Sequence, residues 1–223
     1  MCGRYELHSH PAAIALAFGL GAAPPVAPRY NIAPMQQVPI VRVNAQGARE
    51  LAFVRWGLVP RWAKDPSIGA RMINARGETL KEKPAFRTAF RRHRCLVPAD
   101  GFYEWKSRGD GTKQPMRIAM RDGTPFAFAG LTERWLGPDG EPLDTCVIVT
   151  TDGDPAVAAR AYRAKLSQAG GRVSNEQDFA EGHYGISGEI DVSSKLYVVV
   201  NLAIGKADDA AGFYGSATLW ERE

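Results

Sequence analysis

The sequence is poor in the residues that bind metals or crosslink chains. Only three cysteines and four histidines occur among 223 residues, and no two cysteines have the close spacing of a zinc site. Three cysteines cannot form a disulfide framework, so a reducing cytoplasm is the expected location. Glycine-rich nucleotide-binding loops are also missing, and we expect neither a metal nor a cofactor.

Long apolar runs are missing as well. None approaches the ~20 residues that a membrane-spanning helix needs, and the N-terminus lacks the apolar core of a signal peptide. Hydrophobic residues make up 45% and charged residues 23% of the chain, as in ordinary globular proteins. With no linker, repeat or low-complexity tract, the sequence predicts one domain spanning residues 1–223 and no membrane partner.

Negative charge is scarce in the first half of the chain. Residues 1–100 contain 15 Lys and Arg against 6 Asp and Glu, whereas residues 101–223 contain 13 against 18. An arginine-rich half suggests a polyanionic partner such as nucleic acid, with binding that weakens as salt rises. A solvated basic surface is the alternative that the composition leaves open.

Short strands separated by turn residues dominate the predicted secondary structure. Residues 38–43 and 49–56 predict a β-hairpin, and the apolar segment 11–20 predicts a short helix that ends at glycine. Asn74 is expected at the entrance to a helical run, and a basic helix is expected over 84–94. The pattern predicts an α+β fold, a single domain with a barrel-like, mostly antiparallel β core and a few short helices. The other predicted strands are 95–99, 102–105, 116–120, 125–129, 145–150 and 196–200.

Cys2 directly follows the initiator methionine, so trimming of Met1 would make it the N-terminal residue. That terminus would carry an α-amine with a pKa of about 7.7–8.0 beside a thiol near 8.5. An aldehyde forms an imine with the amine, and the thiol then closes a five-membered thiazolidine ring. The alternative is that Cys2 is an accident of the translation start in a frayed terminus.

Six short segments occur together in this chain: MCGRY (1–5), YNIAP (30–34), RWGLVP with WA (55–63), NARGET (74–79), RCLVPA (94–99) and GFYEW (101–105). In their order they resemble the SRAP (SOS-response-associated peptidase) family, the abasic-site-shielding proteins of bacteria and eukaryotes. The resemblance is clear over residues 1–151, whereas residues 152–223 diverge.

The resemblance implies that Cys2 links covalently to the ring-opened aldehyde of an abasic site in single-stranded DNA. In the family the product is a stable thiazolidine that shields the lesion during the DNA damage response. Crosslinking, lyase-like and autopeptidase (hydrolase) activities are therefore expected, in an SRAP-like fold. We also expect single-stranded DNA containing an abasic site as the partner, a monomer, and a location at the nucleoid if the source is bacterial.

Asn74 and Glu104 are the other candidate catalytic residues. Glu104 is an acidic residue in an aromatic-flanked strand, where an apolar environment would favour its protonated form and let it help to open the closed sugar. An exposed strand glutamate is the alternative. Asn74 could hydrogen-bond the sugar hydroxyl or the reacting amine, and a helix N-cap is its alternative role.

Four side chains are candidates for binding DNA. Arg4 and Arg76 carry the planar donor fork that suits phosphate oxygens, with surface solvation or an ion pair as the alternative. Trp62 and Trp105 could stack on bases beside the lesion, a contact worth about 1–3 kcal/mol per base. Core packing is their alternative, and it is the fate expected for Trp56.

A histidine that the family carries after its last matching strand is missing, since none occurs between His93 and His183. Three interpretations stay open. The part from about residue 156 has diverged and His183 substitutes as the acid/base; its coding sequence is frameshifted or recombined; or this subfamily dispenses with the histidine. Because one such group contributes about 10²–10⁴-fold in rate, we expect a slower or less reversible crosslinker.

Two other functions are compatible with the sequence. One is an N-terminal-cysteine peptidase, which the absence of a Cys/His/Asn set limits to self-removal of Met1. The other is a module that binds single-stranded DNA without a covalent bond, through its arginines and tryptophans. Loss of adducts in Cys2→Ala separates both from a crosslinker.

Overall fold

The computed structural model describes residues 2–22, 26–120 and 123–150, together with the backbone of three strands farther along the chain. The residues fall into two compact units. The first comprises Met1–Trp105 and Pro115–Thr150, and the second comprises Lys106–Gln114 and Thr151–Glu223. All predicted site residues except His183 belong to the first unit.

Short strands dominate the chain up to residue 150. The first helix begins at a proline, is capped by His10, and ends where Gly19 adopts a left-handed conformation. Two 3₁₀ turns, Pro66–Arg71 and Gly77–Thr79, flank the fifth strand. The elements are β1 Tyr5–Leu7, α1 Pro11–Phe18, β2 Arg29–Ile32, β3 Gln37–Val43, β4 Arg49–Trp56, β5 Asn74–Arg76, α2 Arg87–Arg92, β6 Arg94–Ala99, β7 Gly101–Ser107, β8 Lys113–Ala119, β9 Phe126–Leu136 and β10 Pro142–Thr150.

Five strands close into a barrel in the order β4–β3–β6–β9–β10, because β10 returns to β4. Each pair is antiparallel except the closing pair, which is parallel. All five strands contribute fully buried apolar side chains, which supply most of the stabilisation through removal of apolar surface from water. These include Val38, Ile40, Val54, Trp56, Val97, Leu131 and Val147.

One edge of β10 is shared by two segments. Its first half pairs with the end of β4 and its second half pairs with β5, both in parallel. Between them residues 57–73 leave the sheet, and a 3.0 Å hydrogen bond from the Leu58 amide to the Met72 carbonyl closes the base of this excursion. We name residues 57–73 the platform loop.

The N-terminus lies in a second sheet, of order β2–β1–β7–β8. Strand β1 is antiparallel to both neighbours, with Tyr5 opposite Phe102 and Glu6 opposite Gly101 on the β7 side. Tyr5 and Leu7 are fully buried, so their packing in the core holds β1 in place. This register brings the first residues of the chain beside the part of β7 that contains Glu104.

The second unit contains a three-stranded antiparallel sheet. Its strands are β11 Arg172–Phe179, β12 His183–Glu189 and β13 Leu202–Ile204. His183 is the first residue of β12 and pairs with Phe179. The strand predicted at 196–200 lies outside the described residues.

The predicted α+β class, with a barrel-like, mostly antiparallel core and few short helices, is confirmed. The hairpin is confirmed as β3–β4, and the first helix as α1. The helical entrance predicted at Asn74 is wrong, because this residue forms β5 on the free half of the β10 edge. The basic helix is shorter than predicted and begins at Arg87, since the residues before it form turns. The single-domain span stays a prediction.

A substitution at Gly57, the residue after β4, tests how tightly the platform loop is packed. The φ of Gly57 is +132°, and a Cβ built there would lie 2.7 Å from the carbonyl oxygen of Gly69. Gly57→Ala is therefore expected to lower the free energy of unfolding by about 3 kcal/mol, through backbone strain and a clash between main chains. Gly47→Ala is the matched control, since its φ is +82° and no atom lies within 4 Å of its Cβ position. It should cost only about 1 kcal/mol.

Urea unfolding of both variants, with midpoint and slope fitted together, measures the difference. Equal losses for Gly57→Ala and Gly47→Ala would show that the close approach of Gly57 to Gly69 is not a packing constraint.

Candidate active site

Cys2 is held inside the structure and does not fray. Only 4% of it is exposed, and its carbonyl oxygen accepts a 2.8 Å hydrogen bond from Nδ2 of Asn74. Asn74 is fixed in turn, because it pairs with Ile148 at the free half of the β10 edge. A residue of the barrel edge therefore holds the N-terminal residue in place.

The oxygen of the Asn74 amide has no hydrogen-bond partner among the described residues. This atom, Oδ1, is buried. A buried acceptor without a donor is costly, by about 1–3 kcal/mol, and such groups are uncommon in folded proteins. Because Nδ2 is used on the Cys2 carbonyl, Oδ1 is the group that can receive an N–H from an amine or an O–H from a sugar.

Glu104 lies close enough to Cys2 to act on its thiol electrostatically. Burial first, and the negative charge of Glu104 second, raise the pKa of the Cys2 thiol to about 12. The thiol also points at the carbonyl oxygen of Arg4, at an Sγ–O distance of 3.9 Å. At neutral pH the sulfur is therefore protonated, beside a half-buried carboxylate whose Oε1 oxygen is shielded from solvent.

A buried carboxylate on β1 stabilises the contact with β7. Burial raises the pKa of Glu6, but hydrogen bonds from Tyr103 and Arg117 outweigh it and leave the pKa below its usual value. The Tyr103 hydroxyl lies 2.5 Å from Glu6 Oε2, and Arg117 Nε lies 2.6 Å from Oε1. Because Tyr103 directly precedes Glu104, this network also fixes the position of the candidate acid/base.

The structure brings together Cys2, Asn74 and Glu104, the three predicted catalytic residues. Their chemical roles stay predictions. Arg4 lies next to this cluster, since the Tyr103 amide donates to its carbonyl at 2.9 Å. Its guanidinium Nη1 donates to Oδ1 of Asn31 at 2.8 Å.

Asn31 is a residue to which the sequence analysis assigned no role. It lies in the quoted YNIAP segment, and an amide that fixes an arginine is a positioning contact that a motif does not reveal. Arg76 is exposed at the end of β5, two positions after Asn74.

The tryptophans divide as the sequence analysis expected. Trp56 is fully buried in the barrel, and its Nε1 donates to the carbonyl of Ile73 at 2.8 Å. Trp62 is 61% exposed on the platform loop, and Trp105 is 46% exposed on β7. The core-packing alternative is therefore excluded for Trp62, and the exposed faces of both side chains can be reached from solvent.

The remaining predictions concern residues and groups farther from Cys2. The side chain of His183 lies outside the described part of the structure, so its role stays a prediction. Among the described residues, no group of three or more His, Cys, Asp and Glu side chains could hold a metal ion. Within the same residues, no helix is long and apolar enough to span a membrane.

Comparisons with known proteins find relatives for most of this chain. Abasic site processing protein YoqW of Bacillus subtilis is 48% identical over 154 residues, which cover 68% of each chain. Abasic site processing protein HMCES of Gallus gallus is 33% identical over 185 residues, covering 69% of this chain and 55% of the relative. A crystal structure of a Bacteroides thetaiotaomicron protein superposes with a TM-score of 0.60 at 28% identity, over 68% of both chains.

The family model described as SOS response associated peptidase (SRAP) matches residues 1–165. That range includes the barrel, the N-terminal sheet, and Cys2, Asn74 and Glu104. The chain belongs to the SOS response associated peptidase (SRAP) family.

Proposed function

We propose that this protein forms a covalent crosslink to abasic sites in single-stranded DNA through Cys2, and so shields the lesion during the DNA damage response. The observation that carries the proposal is the anchored Cys2, whose carbonyl is held by Asn74 and whose thiol lies in the field of Glu104. The names of its relatives, abasic site processing proteins, support the same substrate class. Such a function fits a location with the DNA, in the cytoplasm or at the nucleoid.

Catalysis begins with opening of the sugar, because an abasic deoxyribose is mostly a cyclic hemiacetal. Glu104 is the group positioned to transfer the proton between the C1 hydroxyl and the ring oxygen as the C1–O bond breaks. The Cys2 amine, freed by removal of Met1, then attacks the C1 aldehyde carbon. Loss of one water gives a C=N bond, and Asn74 Oδ1 accepts an N–H of the amine so that its lone pair faces C1.

The Cys2 sulfur closes the ring. A C–S bond forms at C1, the electrons of the C=N bond return to nitrogen, and the proton lost by the thiol passes to that nitrogen. Because burial and Glu104 keep the thiol protonated at neutral pH, a base must take that proton during attack, and the Glu104 carboxylate is the nearby base. The product is a thiazolidine, with one water lost and no change in oxidation state.

The exposed arginines and tryptophans supply the DNA contacts. Arg4, held by Asn31, and Arg76 donate to phosphate oxygens near the lesion. Trp62 and Trp105 stack on neighbouring bases, a contact that tolerates any sequence. Since the DNA is bound through its backbone and through the faces of its bases, the protein recognises the lesion and not a sequence.

Three narrower functions are tested by substitution of Cys2. A peptidase limited to self-removal of Met1, or a lyase acting through the imine, needs the Cys2 amine or thiol but leaves no stable adduct. A non-covalent single-strand binder needs neither. His183 as a substitute acid/base stays a prediction within the crosslinking function.

The first prediction concerns the adduct itself. Incubation of protein lacking Met1 with single-stranded DNA containing one abasic site should give a heat-stable species of one protein per DNA by intact mass. Cys2→Ala should abolish it, whereas Cys95→Ala and Cys146→Ala, which each remove a buried thiol elsewhere in the barrel, should retain it. DNA whose aldehyde is capped with methoxyamine controls for the reacting group.

An adduct that survives Cys2→Ala would contradict the proposal. Protein that lacks Met1, binds the strand and forms no adduct would reduce it to a single-strand binder.

The second prediction uses opposite effects of one substitution. In Glu104→Gln the thiol loses a nearby negative charge, so the pKa of Cys2 falls and iodoacetamide alkylation of Cys2 at pH 8 should speed up several-fold. Crosslinking to an abasic site should slow by about 10²-fold or more, because the base is lost. In wild-type protein that retains Met1, alkylation should keep rising about tenfold per pH unit above pH 9, since the pKa is about 12.

Peptide mapping separates Cys2 alkylation from that of the other two cysteines. If the alkylation rate of Cys2 and the crosslinking rate both fall in Glu104→Gln, the substitution has disturbed the fold. An unchanged crosslinking rate would show that Glu104 takes no part in the mechanism.

A further inference from the structure

The platform loop is attached to the barrel at three points around Trp62. The Val59 amide donates to Oγ1 of Thr145 at 3.0 Å. Nε1 of Trp135 donates to the Ala63 carbonyl at 2.7 Å, and this bond is buried. The third attachment is charged, since Arg61 Nε donates to Oε1 of Glu133 at 2.7 Å. All three partners lie on β9 or β10.

Among these partners, Glu133 is the one with an ionisable side chain buried in the protein. Its side chain is only 5% exposed, and a carboxylate so far from water is stable only when charged or polar donors satisfy it. Oε1 receives the Arg61 bond and a 3.2 Å bond from the Arg134 amide, and Nδ1 of His93 lies 3.9 Å away. Because the buried Glu133 carboxyl needs hydrogen-bond donors, it holds the Arg61 guanidinium in place, although 61% of the arginine side chain is exposed.

Trp62 lies between two fixed residues. Its neighbours Arg61 and Ala63 are both bonded to the barrel, yet Trp62 itself is 61% exposed. Trp135, under the same loop, is 7% exposed and packs against Val59 and Ala63. The loop thus buries one tryptophan and presents another to solvent, and its attachments on both sides fix the backbone that carries Trp62.

We propose that Glu133 is a positioning residue, which acts through Arg61 to hold Trp62 ready to stack on a base of bound single-stranded DNA. The inference rests on the stacking role proposed for Trp62. A side chain fixed before binding loses less conformational entropy when the base arrives, so the fixed geometry increases affinity without adding a contact. Glu133 itself does not touch the nucleic acid.

A double-mutant cycle tests the coupling. The affinity for an undamaged single strand, measured by fluorescence anisotropy, excludes the covalent step. Trp62→Ala should weaken binding about 5–100-fold, the loss of one stacked base. Glu133→Ala should weaken it about 3–10-fold in the wild-type background and less than 2-fold in the Trp62→Ala background, since the effect passes through Trp62.

Conservative variants separate positioning from folding. Glu133→Gln keeps Oε1, which accepts both observed bonds, so it should retain most of the affinity. Arg61→Lys keeps the positive charge but loses the Nε donor, and should weaken binding only while Trp62 is present. It tests the proposal even if Glu133→Ala does not fold. The matched control is Asp144→Asn, which alters the Arg134–Asp144 pair between β9 and β10, away from the platform loop, and should leave affinity unchanged.

Each outcome decides one claim. Equal weakening by Glu133→Ala, or by Arg61→Lys, with and without Trp62 would overturn the positioning role. If Trp62→Ala binds normally, the stacking role fails and the positioning role with it. Adduct formation by intact mass is independent of both, so the crosslinking function stands or falls separately.

Discussion

The shared edge of β10 is the constraint on which the site depends. Its first half closes the barrel against β4, and its second half holds β5, so the segment between them must leave the sheet as a loop. One hydrogen-bonded edge therefore determines the positions of both Asn74 and the platform loop. It places Asn74 where its amide meets the Cys2 carbonyl, and it raises the loop that carries Trp62.

The surroundings of Cys2 disfavour ionisation of its thiol. Burial and a neighbouring carboxylate disfavour the thiolate, so the sulfur is a poor nucleophile until a proton acceptor is engaged. A low-pKa thiolate would react with any electrophile or oxidant that reached it. In the proposed crosslinking function, the protonated sulfur would react only after the amine has bound an aldehyde and brought C1 beside it. The raised pKa of the thiol would then contribute to selectivity for the lesion.

Local sequence patterns were sufficient for the β3–β4 hairpin and for α1, because turn residues and a glycine cap mark them. They failed at β5, a strand of three residues that exists only because β10 offers a parallel partner far along the chain. Asn74 and Glu104 were found through the order of the family segments, since each has a common structural alternative. Glu133 gave no signal, because its partner Arg61 lies 72 positions away.

The burial of Cys2 also affects when another enzyme can remove Met1 from the chain. An aminopeptidase needs an extended, accessible terminus, whereas the folded chain leaves only 4% of Cys2 exposed and ties its carbonyl to Asn74. Translation at about 5–20 residues per second delivers Asn74 and then Glu104 roughly 4–20 s after Cys2. Removal of Met1 by an external aminopeptidase is therefore easiest on the nascent chain, within that interval, whereas self-removal would use the completed site.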